Sequence, residues 1–314
     1  MADVAIRDLI GKLAEDRTSG AAELAGKGAA VVMALAGRIE AVDTASFVQG
    51  LADAGRLLIR SQPSMAPLFN LVNGVLGELE GVVDLEEARR RARDAARGFG
   101  EELVSRGERI ADEALGVILP GSTLLTHSRS STVLRALLHA RSEGGDFEVV
   151  CTESRPLYEG RAVAEELSKR HIPTTVIIDA GVAEVMERVD LVVVGADAVS
   201  PDGLVNKVGT YLLALAASAR GIPFYSLCGT EKFLPADYQF LAIEDRNPEE
   251  VWPDHPRGVS VVNRYFDVTP LEYVSGLVTE RGVLGQGELE QMLGQLKMHK
   301  LLLETGQTGR EERG

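Results

Sequence analysis

From Ser122 onward, short apolar runs alternate with stretches whose apolar residues recur at threes and fours, and few folds accept that alternation. Strands are expected at Ser122–Thr126, Phe147–Cys151, Thr174–Ile178, Leu191–Val194 and Pro223–Leu227. Helices are expected between them, near Ser131–Arg141, Gly160–His171, Val182–Glu187 and Val208–Arg220. Parallel neighbours need a crossover, and each helix supplies one, so the sheet is expected to be mostly parallel. Another strand is expected at Leu241–Ile243 and a helix over Leu271–Thr279, with a frayed tail after Lys300.

The chain before Pro120-Gly121 reads differently. From Ala5 to about Leu115 the apolar spacing is helical throughout, and the clearest helix runs from Asp84 to Leu115. Asp84 is placed to cap it, with Glu87 three residues later. The arginines from Arg89 to Arg97 are interleaved with Glu86, Glu87 and Asp94, which favours a salt-bridged, solvated face over a nucleic-acid stripe. The change of rhythm divides the chain into an all-helical domain, residues 1–116, and an α/β domain, residues 117–314.

A formal charge of −14 argues against direct nucleic-acid binding. There is no run long enough for a membrane span, and Cys151 and Cys228 have no zinc-like spacing, so no metal or cofactor is expected and a reducing cytoplasm is.

Ligands bind at the carboxyl edge of open parallel sheets, so the residues just past each strand are the candidates. They are Thr126-His127-Ser128, Thr152-Glu153-Ser154-Arg155, Asp179 and Asp197, with Asn206-Lys207 a loop later. Leu191-Val-Val-Val194 reads as a strand buried on both faces, and Gly195-Ala196 lets its end approach a ligand closely. Arg155 and Lys207 offer cationic donors suited to phosphate, and Asp197 can hold a proton. Structural readings stand beside these. Asp197 could cap the next segment, Ser128 or Ser130 the following helix, and Arg155-Pro156 could be a surface turn. For Asp179, capping is the preferred reading.

The motifs Leu125-Thr-His-Ser128, Thr152-Glu-Ser-Arg-Pro156, Ile178-Asp-Ala180, Val194-Gly-Ala-Asp197, Asn206-Lys-x-Gly-Thr210 and Ile222-Pro-Phe-Tyr225 together resemble the translation initiation factor 2B α, β and δ subunit family. That family includes methylthioribose-1-phosphate isomerase and ribose-1,5-bisphosphate isomerase. Asp16-Arg-Thr-Ser-Gly20 and Tyr265-Phe-Asp-Val-Thr-Pro270 extend the likeness over nearly the whole chain. The resemblance implies a helical N-terminal domain, a Rossmann-like C-terminal domain and assembly as a homodimer or larger oligomer, with translation initiation factor subunits as further partners. It also implies ligand contacts from Arg17, Ser19 and Gly20, in a loop folded over the cleft. An N-cap by Thr18 or Ser19 is the alternative for that loop.

Two departures bear on activity. The isomerases carry a cysteine after Thr-His that works with the Gly-Ala-Asp aspartate; here that place holds Ser128, beside Asp197 as the retained residue. A hydroxyl ionises far less readily than a thiol, whose ordinary pKa is about 8.5. The isomerases also resemble Ser-Arg-Pro-Thr where this chain has Ser61-Gln62-Pro63-Ser64, so Arg60 becomes the substitute cation. Cys151, at the end of the next strand, is the other thiol to consider, although burial is the usual fate of such a residue. His127 is counted among the ligand-binding residues, although as a packed residue behind the site rather than as a base. The expected function is therefore noncatalytic binding of a sugar phosphate or nucleotide by a regulatory oligomer. The alternative is an aldose-phosphate to ketose-phosphate isomerase using Asp197.

Overall fold

The computed structural model describes residues 2–16, 19–238 and 245–303. Two compact units form: Met1–Ser105 with Glu231–Leu241 and Leu293–Gly314, and Arg106–Thr230 with Ala242–Met292.

The first unit is helical. It holds α1 (Ala2–Ala14), α2 (Ala21–Arg38), α3 (Thr44–Ser61), α4 (Ala66–Glu78) and the first part of α5, Leu85–Ala114. Asp84 caps α5 as its position predicts, accepting from the Glu87 backbone N–H at 2.7 Å. The arginine run is salt-bridged, Arg90 to Glu87 and Asp94, Arg91 to Glu87, and Arg97 to Asp94. Gln62, at the place of the isomerases' arginine, is buried and donates to the carbonyls of Leu13 and Asp16, both at 2.9 Å. It fixes the end of α1 rather than offering an empty amide to a ligand.

The second unit is built on a seven-stranded sheet. Its strands are β1 (Thr123–Thr126), β2 (Glu148–Thr152), β3 (Thr174–Ile177), β4 (Leu191–Val194), β7 (Phe224–Leu227), β9 (Gly276–Thr279) and β10 (Gly282–Leu284). The spatial order is β10-β9-β7-β4-β1-β2-β3, parallel except for the β9–β10 hairpin. The crossover helices are α6 (Ser131–Ser142), α7 (Glu159–Ser168), the short α8 (Val182–Val185) and α9 (Thr210–Arg220). All four β4 residues are buried, as a four-residue apolar run at the centre of a covered sheet requires. The chain steps outward from β1 through β2 to β3, then returns to β1's other side as β4. The switch point therefore lies between β1 and β4, and ligand clefts in such sheets open there.

Three short strands, β5 (Ala198–Ser200), β6 (Gly203–Lys207) and β8 (Phe266–Thr269), make a separate antiparallel sheet in the order β5-β6-β8. Asn206-Lys207 thus ends a strand, although its polar residues read as loop. The helix expected over Leu271–Thr279 is not formed. A 3-10 turn covers Leu271–Tyr273, and Gly276–Thr279 is the buried strand β9 beside β7. Four consecutive buried positions fit a strand covered on both sides and not one face of a helix. The strand expected at Leu241–Ile243 lies outside the described residues, as does the tail after Leu303. Helix α10 (Gln286–Gln295) and the short α11 (Lys300–Leu303) close the described chain. No helix among the described residues is long and apolar enough to cross a membrane.

Candidate functional site

The carboxyl ends of β1, β2 and β3 are locked to one another by hydrogen bonds. Asp179, just past β3, accepts the backbone N–H of Ser154 at 2.8 Å and of Arg155 at 2.7 Å. That replaces the capping role preferred from sequence: the carboxylate ties β3 to the loop after β2. The Ser154 hydroxyl, fully buried, accepts the Ser128 N–H at 2.7 Å. Ser128 and Ser154 both have left-handed φ, 63° and 62°, conformations that a non-glycine residue holds only when its surroundings fix it.

His127 completes this lock. Its Nε2 lies 2.9 Å from the Val208 carbonyl, which can only accept, so Nε2 carries the hydrogen. Nδ1 then accepts from the Thr152 hydroxyl at 2.6 Å. Burial pushes the His127 pKa down, which keeps the ring neutral, and this spends both nitrogens. His127 is a strut between β1, β2 and the β6–α9 loop, in keeping with its reading as a packed residue. A side chain at Gly209 would place its Cβ 3.1 Å from His127 Nε2, and Gly209 has a φ of 106°, so that loop needs glycine there.

β4 joins the same edge. A Cβ on Gly195 would stand 2.6 Å from the Ser130 side chain and 3.9 Å from Asn206 Oδ1, so this glycine is where β4, the start of α6 and β6 approach one another. Ser130, not Ser128, caps α6, accepting from the Val133 N–H at 3.3 Å. Among the described residues the Ser128 hydroxyl makes no hydrogen bond. Asp197 is half-buried at the β4–β5 junction, its N–H donating to the Val205 carbonyl at 2.8 Å. Asn206 is buried and donates to the Thr210 hydroxyl at 3.0 Å.

The cations are less available than their sequence positions imply. Lys207 is buried, and its ammonium donates to Glu159 Oε1 at 2.7 Å and lies 4.7 Å from the centre of the Tyr265 ring. Arg155 donates to the Val251 carbonyl at 3.0 Å and to the Tyr158 hydroxyl, and its guanidinium stacks on the Tyr158 ring. Cys151 is fully buried and its thiol is pushed up to about 12 by that burial, which rules it out as a replacement nucleophile at neutral pH. Among the described residues no acidic, histidine or cysteine cluster could hold a metal ion.

The remaining expected contacts belong to the helical unit. Ser19 donates its N–H to Asp16 Oδ1 at 3.0 Å and accepts from Lys27 at 2.8 Å; Gly20 is the N-cap of α2, so Ser19 does not hold that position, and Thr18 lies outside the described residues. Arg60 is exposed in the last turn of α3. Arg17 lies outside the described residues.

Sequence reasoning missed two residues of the site. Glu159 opens α7, 48 residues before its lysine partner, and no spacing rule connects them. Asp267 accepts from the N–H groups of Gly209 at 2.7 Å and Tyr211 at 3.2 Å, capping α9 from β8. The Tyr265-Phe-Asp motif was visible, but its pairing across the β6–β8 ladder was not.

A family model for the initiation factor 2 subunit family matches residues 17–286. This chain belongs to that family. The member described here is 33% identical to the ribose 1,5-bisphosphate isomerase of Methanocaldococcus jannaschii over 284 residues, 89% of this chain and 91% of that protein. Among solved structures, the Pyrococcus horikoshii translation initiation factor eIF-2B aligns with a TM-score of 0.77 at 32% identity, over 90% of this chain and 97% of that one. The 5-methylthioribose 1-phosphate isomerase of the same organism aligns at 0.70 and 26% identity, over 91% and 86%. The helical N-terminal region and the mostly parallel seven-stranded sheet are thus the architecture of this family.

Proposed function

We propose that this family member converts a phosphorylated aldose to its ketose in the cleft at the β1–β4 switch point, the reading held above as the alternative. The observation that carries it is the placement of Asp197 at the end of β4, next to the strand whose end presents Ser128. Relatives named for isomerisation of ribose 1,5-bisphosphate and 5-methylthioribose 1-phosphate weigh the same way. On a ring-opened aldose, Asp197 takes the proton from C2 and returns it to C1; the proton lost from the C2 hydroxyl, which becomes the carbonyl, is balanced by one gained at the C1 oxygen, or at the released ring oxygen where C1 carries phosphate. A carboxylate suits both halves of that transfer, and positioned acid–base catalysis of this kind supplies about 10²–10⁴-fold. Asn206, beside Lys207 at the end of β6, belongs to the proposal as a ligand contact. Arg17, Ser19, Gly20 and Arg60 belong to the proposal as further ligand-binding residues. So does assembly as a homodimer or larger oligomer.

One observation favours a second reading, binding without turnover by a subunit that joins translation initiation factors. It is the hydroxyl at Ser128, where the isomerases have a thiol, with no base hydrogen-bonded to it among the described residues. An NMR assay for ketose from ribose 1,5-bisphosphate and 5-methylthioribose 1-phosphate separates the two. Ketose that disappears with Asp197→Asn supports the isomerase. A thermal shift with ribose phosphates or AMP and no ketose sinks it in favour of the second reading.

A further inference from the structure

We infer that Glu159 is a specificity-determining residue: its carboxylate is a built-in anion that competes with ligand phosphate for Lys207, so the pocket admits a sugar carrying one phosphate and disfavours one carrying two. This deepens the proposed function and rests on it.

The argument starts from burial. The Lys207 side chain is 5% exposed and that of Glu159 26%, so the pair is poorly screened by water. Each holds the other. Oε1 of Glu159 accepts from the ammonium at 2.7 Å, while Oε2 is enclosed without a partner among the described residues. The ammonium therefore anchors this carboxylate. On its other side, Lys207 faces the Tyr265 ring, whose hydroxyl donates to Glu250 Oε2 at 2.6 Å and keeps the ring in place.

The backbone under Glu159 is equally fixed. A Cβ on Gly160 would fall 1.8 Å from the Thr152 carbonyl oxygen, so the start of α7 is pressed onto the end of β2 and cannot carry the carboxylate away. A phosphate seeking Lys207 must displace Glu159 or stand beside it, two anions sharing one cation. A hydroxyl at that end of the sugar meets no such repulsion. Phosphate bound elsewhere in the cleft is unaffected.

The test compares affinities by titration calorimetry at fixed salt for ribose 1,5-bisphosphate and ribose 5-phosphate. Glu159→Gln keeps the shape and removes the charge. It is expected to raise the ratio of bisphosphate to monophosphate affinity about tenfold or more, the scale of removing one poorly screened like charge. Glu159→Ala should move the ratio the same way, and adding Lys207→Met to Glu159→Gln should cancel the gain. A gain that depends on Lys207 is not what a merely structural role would give. A ratio that is unchanged or falls overturns the inference, whichever way turnover is decided. Failure of the isomerase reading registers separately, as absence of ketose from the wild-type protein.

Discussion

Replacing Asp267 by asparagine isolates the effect of one half-buried carboxylate on the turn that follows Asn206 and Lys207. Burial pushes the Asp267 pKa from 3.8 up to about 6, against the opposing pull of the Gly209 and Tyr211 N–H groups, and its Oδ1 is enclosed with no partner among the described residues. Desolvation wins over the helix cap. The folded value therefore lies above the unfolded one by about two units, and at about 1.4 kcal/mol per unit the charged form costs about 3 kcal/mol in the fold. The sign follows: the favourable contribution is complete below pH 4 and is lost as pH rises through about 6.

The chain has many other carboxylates, so the quantity to measure is the difference between wild type and Asp267→Asn. Asparagine keeps an acceptor for the helix N–H groups and never ionises. Whatever constant offset the amide introduces, the wild type should lose up to about 3 kcal/mol relative to the variant between pH 4 and pH 7. Urea unfolding at half-unit intervals reads that difference, and a carboxyl carbon NMR titration reads the midpoint directly. Parallel curves over that range, or an Asp267 midpoint near 4, would refute the reasoning that desolvation outweighs the cap.

Gly160→Ala should destabilise the protein by about 3 kcal/mol or more, because its Cβ would meet a backbone oxygen at 1.8 Å that cannot move aside. Urea unfolding measures it, and near-wild-type stability would mean that α7 does not press on β2. Cys151, with its thiol pushed up to about 12, should resist a thiol reagent at pH 8 in the folded protein and react after unfolding; rapid modification of the native protein would contradict its burial.

The central strands were legible because burial on both faces leaves a signature in sequence. Leu191–Val194 is bounded as the apolar run dictates, and β1, β2, β3 and β7 fall within a residue of their expected ends. The strands that went unread are those in which local composition contradicts location. β6 ends in Asn206 and Lys207, polar residues that are buried because Thr210 and Glu159 satisfy them. Gly276-Leu-Val-Thr279 is too short for periodicity to separate strand from helix, and its pairing with β7 decided the outcome.

The candidate site was legible as a set of strand ends but not as a set of charges. A rule about sheet edges places Ser128, Asp197 and Asn206 without any knowledge of partners, whereas the state of a cation depends on what lies beside it in space. Lys207 was expected to await an anion and already holds one.

Position 128 can be weighed the same way. The fold constrains its backbone: the left-handed turn is held by the N–H bond to Ser154, which the Thr152–His127 contact and Asp179 hold in turn. It asks nothing of the side chain, whose oxygen bonds to no described residue. A thiol and a hydroxyl differ little in size, so the architecture accepts either, and the serine at this place is a difference of chemistry rather than a requirement of folding.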